Sequence, residues 1–171
     1  MKALEKGDID IAFTRHNFTS EEIESTFVLR EPLMFILPKD HPLAKYDRIP
    51  VKALNGIDFI IPSSEQSYTL HHTILNFAKE YGIEFNIVQT ADNILFNINS
   101  IGMGLGCTIL PAYITPLSMD HSVVRPLNVE LPQIDLYVSH RKDNTSNAVK
   151  RFMELLTRVF YLDFVRQYLS I

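Results

Sequence analysis

The sequence has one cysteine, no tryptophan and only six glycines in 171 residues. A single cysteine excludes an internal disulfide, and Cys107, set in the apolar run CTIL, reads as an inert buried thiol rather than a nucleophile. No run of about 18 apolar residues occurs, so no membrane-crossing helix is expected. The opening MKALEKGDIDIAF lacks the basic, apolar and small-residue regions of a signal peptide, and a cytoplasmic location with no membrane partner follows as the expectation. Basic excess is missing too: 16 Lys and Arg against 20 Asp and Glu give a formal charge of −4, and no Lys/Arg stripe interleaves with aromatics. This chain by itself is not expected to hold DNA. Motifs of catalysis are also lacking. There is no G-x-S-x-G elbow, and the six histidines are scattered. His71 and His72 are adjacent, so on a helix they point about 100° apart and cannot share a metal as in H-E-x-x-H. No catalytic residue, metal or cofactor is expected.

What is present is a core-forming chain, 46% hydrophobic, with half of its glycines in one short stretch, GMGLGCTILP from Gly102 to Pro111. A dinucleotide-binding loop would need a strand before it and a helix after it. Here the order is reversed: Ile94, Leu95, Ile98 and Ile101 recur at helical spacing behind Asp92 as N-cap, and CTIL is β-like. Gly102 is read as the left-handed residue that ends the helix, with Gly104 and Gly106 turning the chain into a buried strand.

Elsewhere the pattern alternates. MKALEKG reads as a helix end, DIDIAF as a strand, and ESTFVLREPLMFILP as an extended region interrupted by Pro32. A loop with a short helix leads to the strand IDFIIP. A helix follows with Leu70, Ile74, Phe77, Ala78 and Tyr81 on one face, then the strand FNIVQ. A short helix PAYI, strands SVVRPL and IDLYVS, and a long terminal helix capped from Asn144, Thr145 or Ser146 complete the chain. Alternating β and α units argue for an α/β fold with mixed, mostly parallel sheets flanked by helices.

Four segments, LEKGDIDIAF, REPLMFILPKDHPLA, FIIPSSEQSYTLH and GMGLGCTILPAY, resemble in content and order the effector-binding domain of LysR-type transcriptional regulators. That domain has the two-lobed fold of type 2 periplasmic binding proteins. The resemblance implies one lobe from residues 1–35 with 140–171 and a second from 36–139, joined by crossing segments near Phe35 and Ser139. Family members begin with a winged helix-turn-helix, a linker helix and a strand, helix and strand of the first lobe. None of these precedes Met1, so the first lobe is expected to be incomplete and DNA to be reached only through an absent N-terminal domain. The implied function is sensing of a small anionic metabolite. A solute-binding protein of the same fold is the alternative, and a small α/β enzyme a more distant one.

Ligands of open α/β sheets bind outside the carboxyl ends of strands. Ser63 and Ser64 are placed there at a helix N-terminus; Ser63 with Gln66 fits a capping box, and the pair either only caps the helix or one serine caps while its neighbour faces a ligand, the course the resemblance favours. Thr14 and Arg15 follow DIDIAF directly, and an arginine there can take a carboxylate in bidentate fashion or simply be a solvated turn residue. Thr108, from the opposite wall, either meets the ligand or packs in the sheet. Glu21, Glu22 and Glu24 read as a solvated turn. With no neighbours supplied by a preceding segment, DIDIAF presents an exposed edge, and VFYLDFVRQYLSI is apolar on more than one face. Self-association as a dimer or higher is the expected consequence.

Overall fold

The computed structural model describes residues 1–117 and 121–169, with 115–117 and 160–169 described by backbone alone. The chain divides into two compact units, Met1–Arg30 with Asp135–Ile171, and Glu31–Ile134. The chain crosses between them at 30/31 and 134/135, against the crossing segments expected near Phe35 and Ser139.

The first unit holds α1 (Lys2–Lys6), β1 (Ile11–Thr14), the first half of β2 (Ile23–Pro38), most of β7 (Gln133–Arg141) and α4 (Asn147–Leu169). β1 pairs antiparallel with β7, Phe13 opposite Val138. Of the predicted strand DIDIAF only the second half is paired, and Ile9 lies 43% exposed before it. The small core collects Leu4, Ile23, Val28, Val138 and Val149. Of the predicted apolar segment VFYLDFVRQYLSI, all side chains after Val159 lie outside the described residues.

The second unit carries the second half of β2, then β3 (Asp58–Pro62), α2 (Tyr68–Glu80), β4 (Asn86–Ala91), α3 (Ile94–Gly102), β5 (Thr108–Pro111) and β6 (Ser122–Val124). β3 and β4 are parallel, and Cys107 at the mouth of β5 bridges Phe59 in parallel, its N–H donating to Asp58 O at 2.8 Å. β5 and β6 each pair antiparallel with β2. Among the described strands, parallel pairing falls to those joined by the helical crossovers α2 and α3, because only a long connection returns a strand in the same direction; outside the strands, Ile49 also bridges Leu127 in parallel. Helix and strand faces close on a core led by Phe35, Phe59, Ile60, Ile74, Ile101 and Ile109. Pro32 does not break β2. It is exposed within a strand that runs 16 residues, and the next residue, Leu33, donates to Pro132 O at 3.3 Å; a proline without N–H is tolerated where no ladder bond is required of it.

The glycine segment departs from expectation in one detail. Gly102 is the last residue of α3, and the left-handed residue is Gly104 at φ 78°. The left-handed residue comes two positions after the helix end because Met103 and Gly104 still donate to Asn99 O and Ile101 O at 3.0 and 2.9 Å. Gly106 is required for a different reason: a Cβ there would lie 2.8 Å from Asp58 O, so only glycine lets β5 start against β3.

Candidate functional site

The carboxyl edge of the parallel strands in the second unit is where the sequence places two of its five candidates, Ser63 and Ser64. β3 ends at Pro62, and Ser63 is the next residue, buried, with its N–H donating to Ala91 O at the end of β4 (2.8 Å). Ser63 and Ser64 do not stand at a helix N-terminus. α2 begins at Tyr68 behind Ser67, and the capping box with Gln66 is not formed. Instead the chain makes a tight turn: Ser67 N–H donates to Ser63 O at 2.8 Å, and Ser63 Oγ accepts from Glu65 N at 3.3 Å. Serine hydroxyls favour such local turns over extending a helix whose first buried contact, Leu70, lies a full turn later. Ser64 is exposed on this turn. Behind it, His71 Nδ1 lies 2.7 Å from Pro62 O and fastens α2 to the end of β3.

Three residues after Ala91, α3 begins. Its N-cap is Asn93, not Asp92: Asn93 Oδ1 accepts from Phe96 N at 2.8 Å, while its own backbone is extended. One turn further stands Asn97, 1% exposed, with neither its amide nitrogen nor its amide oxygen hydrogen-bonded to the protein. Below it Ser100 returns its hydroxyl proton to Phe96 O at 2.9 Å and is satisfied within the helix. Asn97 was not among the sequence candidates. The signal was there: at three residues past Ile94 and four before Ile101 it interrupts the helix's buried stripe with an amide.

Thr108 is fully buried and its hydroxyl donates to Ile60 O at 2.8 Å, tying β5 to β3. Its proton is committed to the sheet. In the first unit, Thr14 ends β1 and donates its hydroxyl to His16 O at 2.8 Å, closing the turn that follows; Arg15 is half-buried in that turn. The structure thus places Ser63, Ser64 and Thr108 in one unit and Thr14 and Arg15 in the other.

Cys107 is fully buried, and burial, with the nearby Asp58 carboxylate adding to it, pushes its thiol up to about 12. Such a thiol is neither a nucleophile nor a metal ligand at neutral pH. No group of three His, Cys, Asp or Glu that could hold a metal ion occurs among the described residues, and none of their helices is long and apolar enough to cross a membrane.

A two-unit α/β chain with this order of elements matches the family model of the LysR substrate binding domain over residues 1–160. The chain belongs to that family. It is 32% identical over 153 residues to the Hca operon transcriptional activator HcaR of Escherichia coli (strain K12), covering 90% of this chain and 52% of HcaR. Among solved structures it is similar to the effector binding domain of QuiR in complex with shikimate, with a TM-score of 0.80 at 22% identity over 94% of this chain and 76% of that one. The BenM effector binding domain with its effector benzoate gives a TM-score of 0.77 at 18% identity, covering 95% of this chain and 74% of that one. These neighbours share the fold, that of a LysR effector-binding domain of the type 2 periplasmic-binding-protein kind. The chain spans about half the length of HcaR, and the LysR regulators it resembles are transcriptional regulators, not enzymes.

Proposed function

We propose that this chain is the sensing part of a LysR-type transcriptional regulator acting in the cytoplasm, and that its effector is a small carboxylate held at the carboxyl edge of β3 and β4. The observation that carries this reading is Asn97. A buried amide without partners costs about 1–3 kcal/mol for each unsatisfied group. Such a group persists where a ligand or an ordered water supplies the missing bonds. An amide both donates and accepts, which suits a carboxylate that also carries a hydroxyl. Ser63, whose N–H donates to Ala91 O, and the exposed Ser64 follow β3 at the strand ends from which α3 sets out, and the positive end of the α3 dipole favours an anion there, although Asn93 already takes the Phe96 N–H. Of the molecules bound by the two neighbours named above, shikimate is such a hydroxycarboxylate and benzoate a plain carboxylate. Occupancy alone regulates nothing; the ligand must favour one arrangement of the molecule over another, since only differential affinity shifts an equilibrium. DNA contact is assigned to a separate helix-turn-helix module, because this chain carries a charge of −4. The first unit is assigned to self-association.

Thermal unfolding with a panel of carboxylic and hydroxycarboxylic acids, run on wild type and Asn97→Leu, tests the reading. Removing an unpaired amide in favour of an apolar side chain of similar volume should raise the melting temperature without ligand and abolish the shift caused by the acid. A variant that still responds to the acid, or a wild type that responds to none of the panel, removes the proposal.

A further inference from the structure

The second unit has a cleft of about 550 Å³ away from the carboxyl edge of β3 and β4, between the end of β2 and β6. All of its titratable lining is basic or imidazole: Lys39, His41, Lys45 and Arg125, among Pro42, Ala44 and Val123. Four such groups gather in one cleft of a chain whose net charge is −4. Arg125 is half-buried and its guanidinium is fixed by the backbone, Nε donating to Ala44 O at 2.9 Å and Nη1 to Val124 O at 3.0 Å. The Nη2 edge is left over, in a fixed orientation. His41 Nδ1 accepts from Leu43 N at 3.1 Å, so its proton sits on Nε2 as a further donor. Lys45 lies 5.6 Å over the Tyr46 ring, and Lys39 is exposed. Neither lysine nor Arg125 is paired with a carboxylate among the described residues, and the neighbouring Asp40 and Asp47 are exposed and do not line the cleft.

We infer that this cleft is a second anion site, distinct from the serine turn, for a small dianionic oxyanion of the phosphate or phosphoryl class. Two ammonium groups that act as point charges, with a fixed guanidinium and an imidazole N–H, match a tetrahedral oxyanion with several acceptor oxygens; a planar monocarboxylate has too few. Once bound, the anion would join the segment 39–45, which follows β2, to the end of β6. Its charge would offset the mutual repulsion of three cations held in one place.

Amide chemical shifts of the full chain, followed during titration with inorganic phosphate at constant ionic strength, test the site. Saturable shifts should map to residues 39–46 and 123–125, and acetate should produce none there. Lys39→Gln with Lys45→Gln touches two exposed side chains without hydrogen bonds to the fold and should weaken phosphate by about tenfold or more, spectrum otherwise unchanged. Arg125→Gln should weaken it further, at the cost of two backbone contacts. Absence of saturable shifts, shifts confined to 63–67, acetate binding as tightly as phosphate, or wild-type affinity in the double lysine variant would each overturn the inference. None of these outcomes depends on the carboxylate site at Asn97.

Discussion

The two units solve the problem of burying apolar surface to very different degrees. The unit Glu31–Ile134 closes on itself: Phe35 and Phe59 are fully buried, Phe85 stacks on Phe59 with ring centroids 4.1 Å apart, and helices cover the strands. The other unit leaves its aromatic side chains half in solvent. Phe13 is 51% exposed and touches Phe152 of α4 edge-on at 6.3 Å; Phe27 is likewise half-exposed against Tyr137, and α4 continues with Leu155 and Val159 turned outward. Among the described residues β1 has a ladder on one side only. The second unit can be read as an independent core. The described side chains of the first leave apolar surface uncovered, and the self-association proposed above is one way to cover it.

The comparison breaks most visibly if large residues are removed from each side. Phe35→Ala in the closed unit should cost about 3–5 kcal/mol, the usual range for deleting a buried aromatic. Phe152→Ala on α4 should cost under about 1 kcal/mol in the monomer, as for a surface side chain, but should lower the association constant. Chemical denaturation and sedimentation across a concentration series measure the two effects separately. Similar unfolding costs for both variants, or unchanged association in Phe152→Ala, would mean that the units are not as different as their burial says.

A sharper probe of the closed unit is Gly106→Ala. The added methyl would press on the Asp58 carbonyl at 2.8 Å, a backbone atom locked in the β3–β5 contact, so relief requires the strands to part. We expect a loss of about 1–3 kcal/mol, the range for overpacking in a well-packed interior. Gly104→Ala tests the other glycine, whose positive φ strains any side chain although the space around it is open. Circular dichroism melts of the pair separate contact from conformation.

The limits of the sequence reading follow the same division. Periodicity found α2 and α3 because apolar residues recur at helical spacing from Leu70 to Phe77 and from Ile94 to Ile101, the second stripe broken only by the polar Asn97 and Ser100. Their starts differ from the expectation by four residues and one residue, since several Ser, Asn and Asp precede each and residue type alone does not say which of them caps the helix. Gly102 was taken for the stop because glycine is commonest there, yet the following two residues still hydrogen-bond back. Family order was legible from four short motifs spread along the chain, since each fixes a strand-to-loop transition. Asn97 was passed over for a physical reason: an amide in an apolar stripe looks like a tolerated surface residue until burial and the absence of partners are known. The basic cleft was invisible because Lys39, Lys45 and Arg125 lie 80 or more residues apart across the β2–β6 contact, except for the first two.

The smallest expected effect concerns an ion pair of the open unit. Arg30 and Asp135 form a two-pronged contact, Nε to Oδ1 at 2.7 Å and Nη2 to Oδ2 at 3.1 Å, with Tyr137 O–H adding a third donor to the carboxylate at 3.3 Å. The hydrogen bond from Arg30 holds the Asp135 carboxyl below its ordinary value of 3.8; burial opposes it, and the Arg30 charge and the Tyr137 hydroxyl add to the lowering. A carboxyl whose value is lower folded than unfolded stabilises the fold fully above the ordinary carboxylate range and loses that contribution as pH falls through the folded value. The Arg30 side chain is largely in water, so solvent screens the pair and its contribution at neutral pH is slight. Asp135→Asn should therefore melt slightly below wild type at neutral pH, with the gap closing as the medium is acidified to about pH 3 and below. Added salt should narrow the gap at neutral pH as well, because the pair is exposed to the ionic atmosphere. A gap that persists in acid would assign the stabilisation to the shape of the contact and not to its charge. In the closed unit, where the core carries the stability, no single carboxylate substitution should show this pH-dependent convergence.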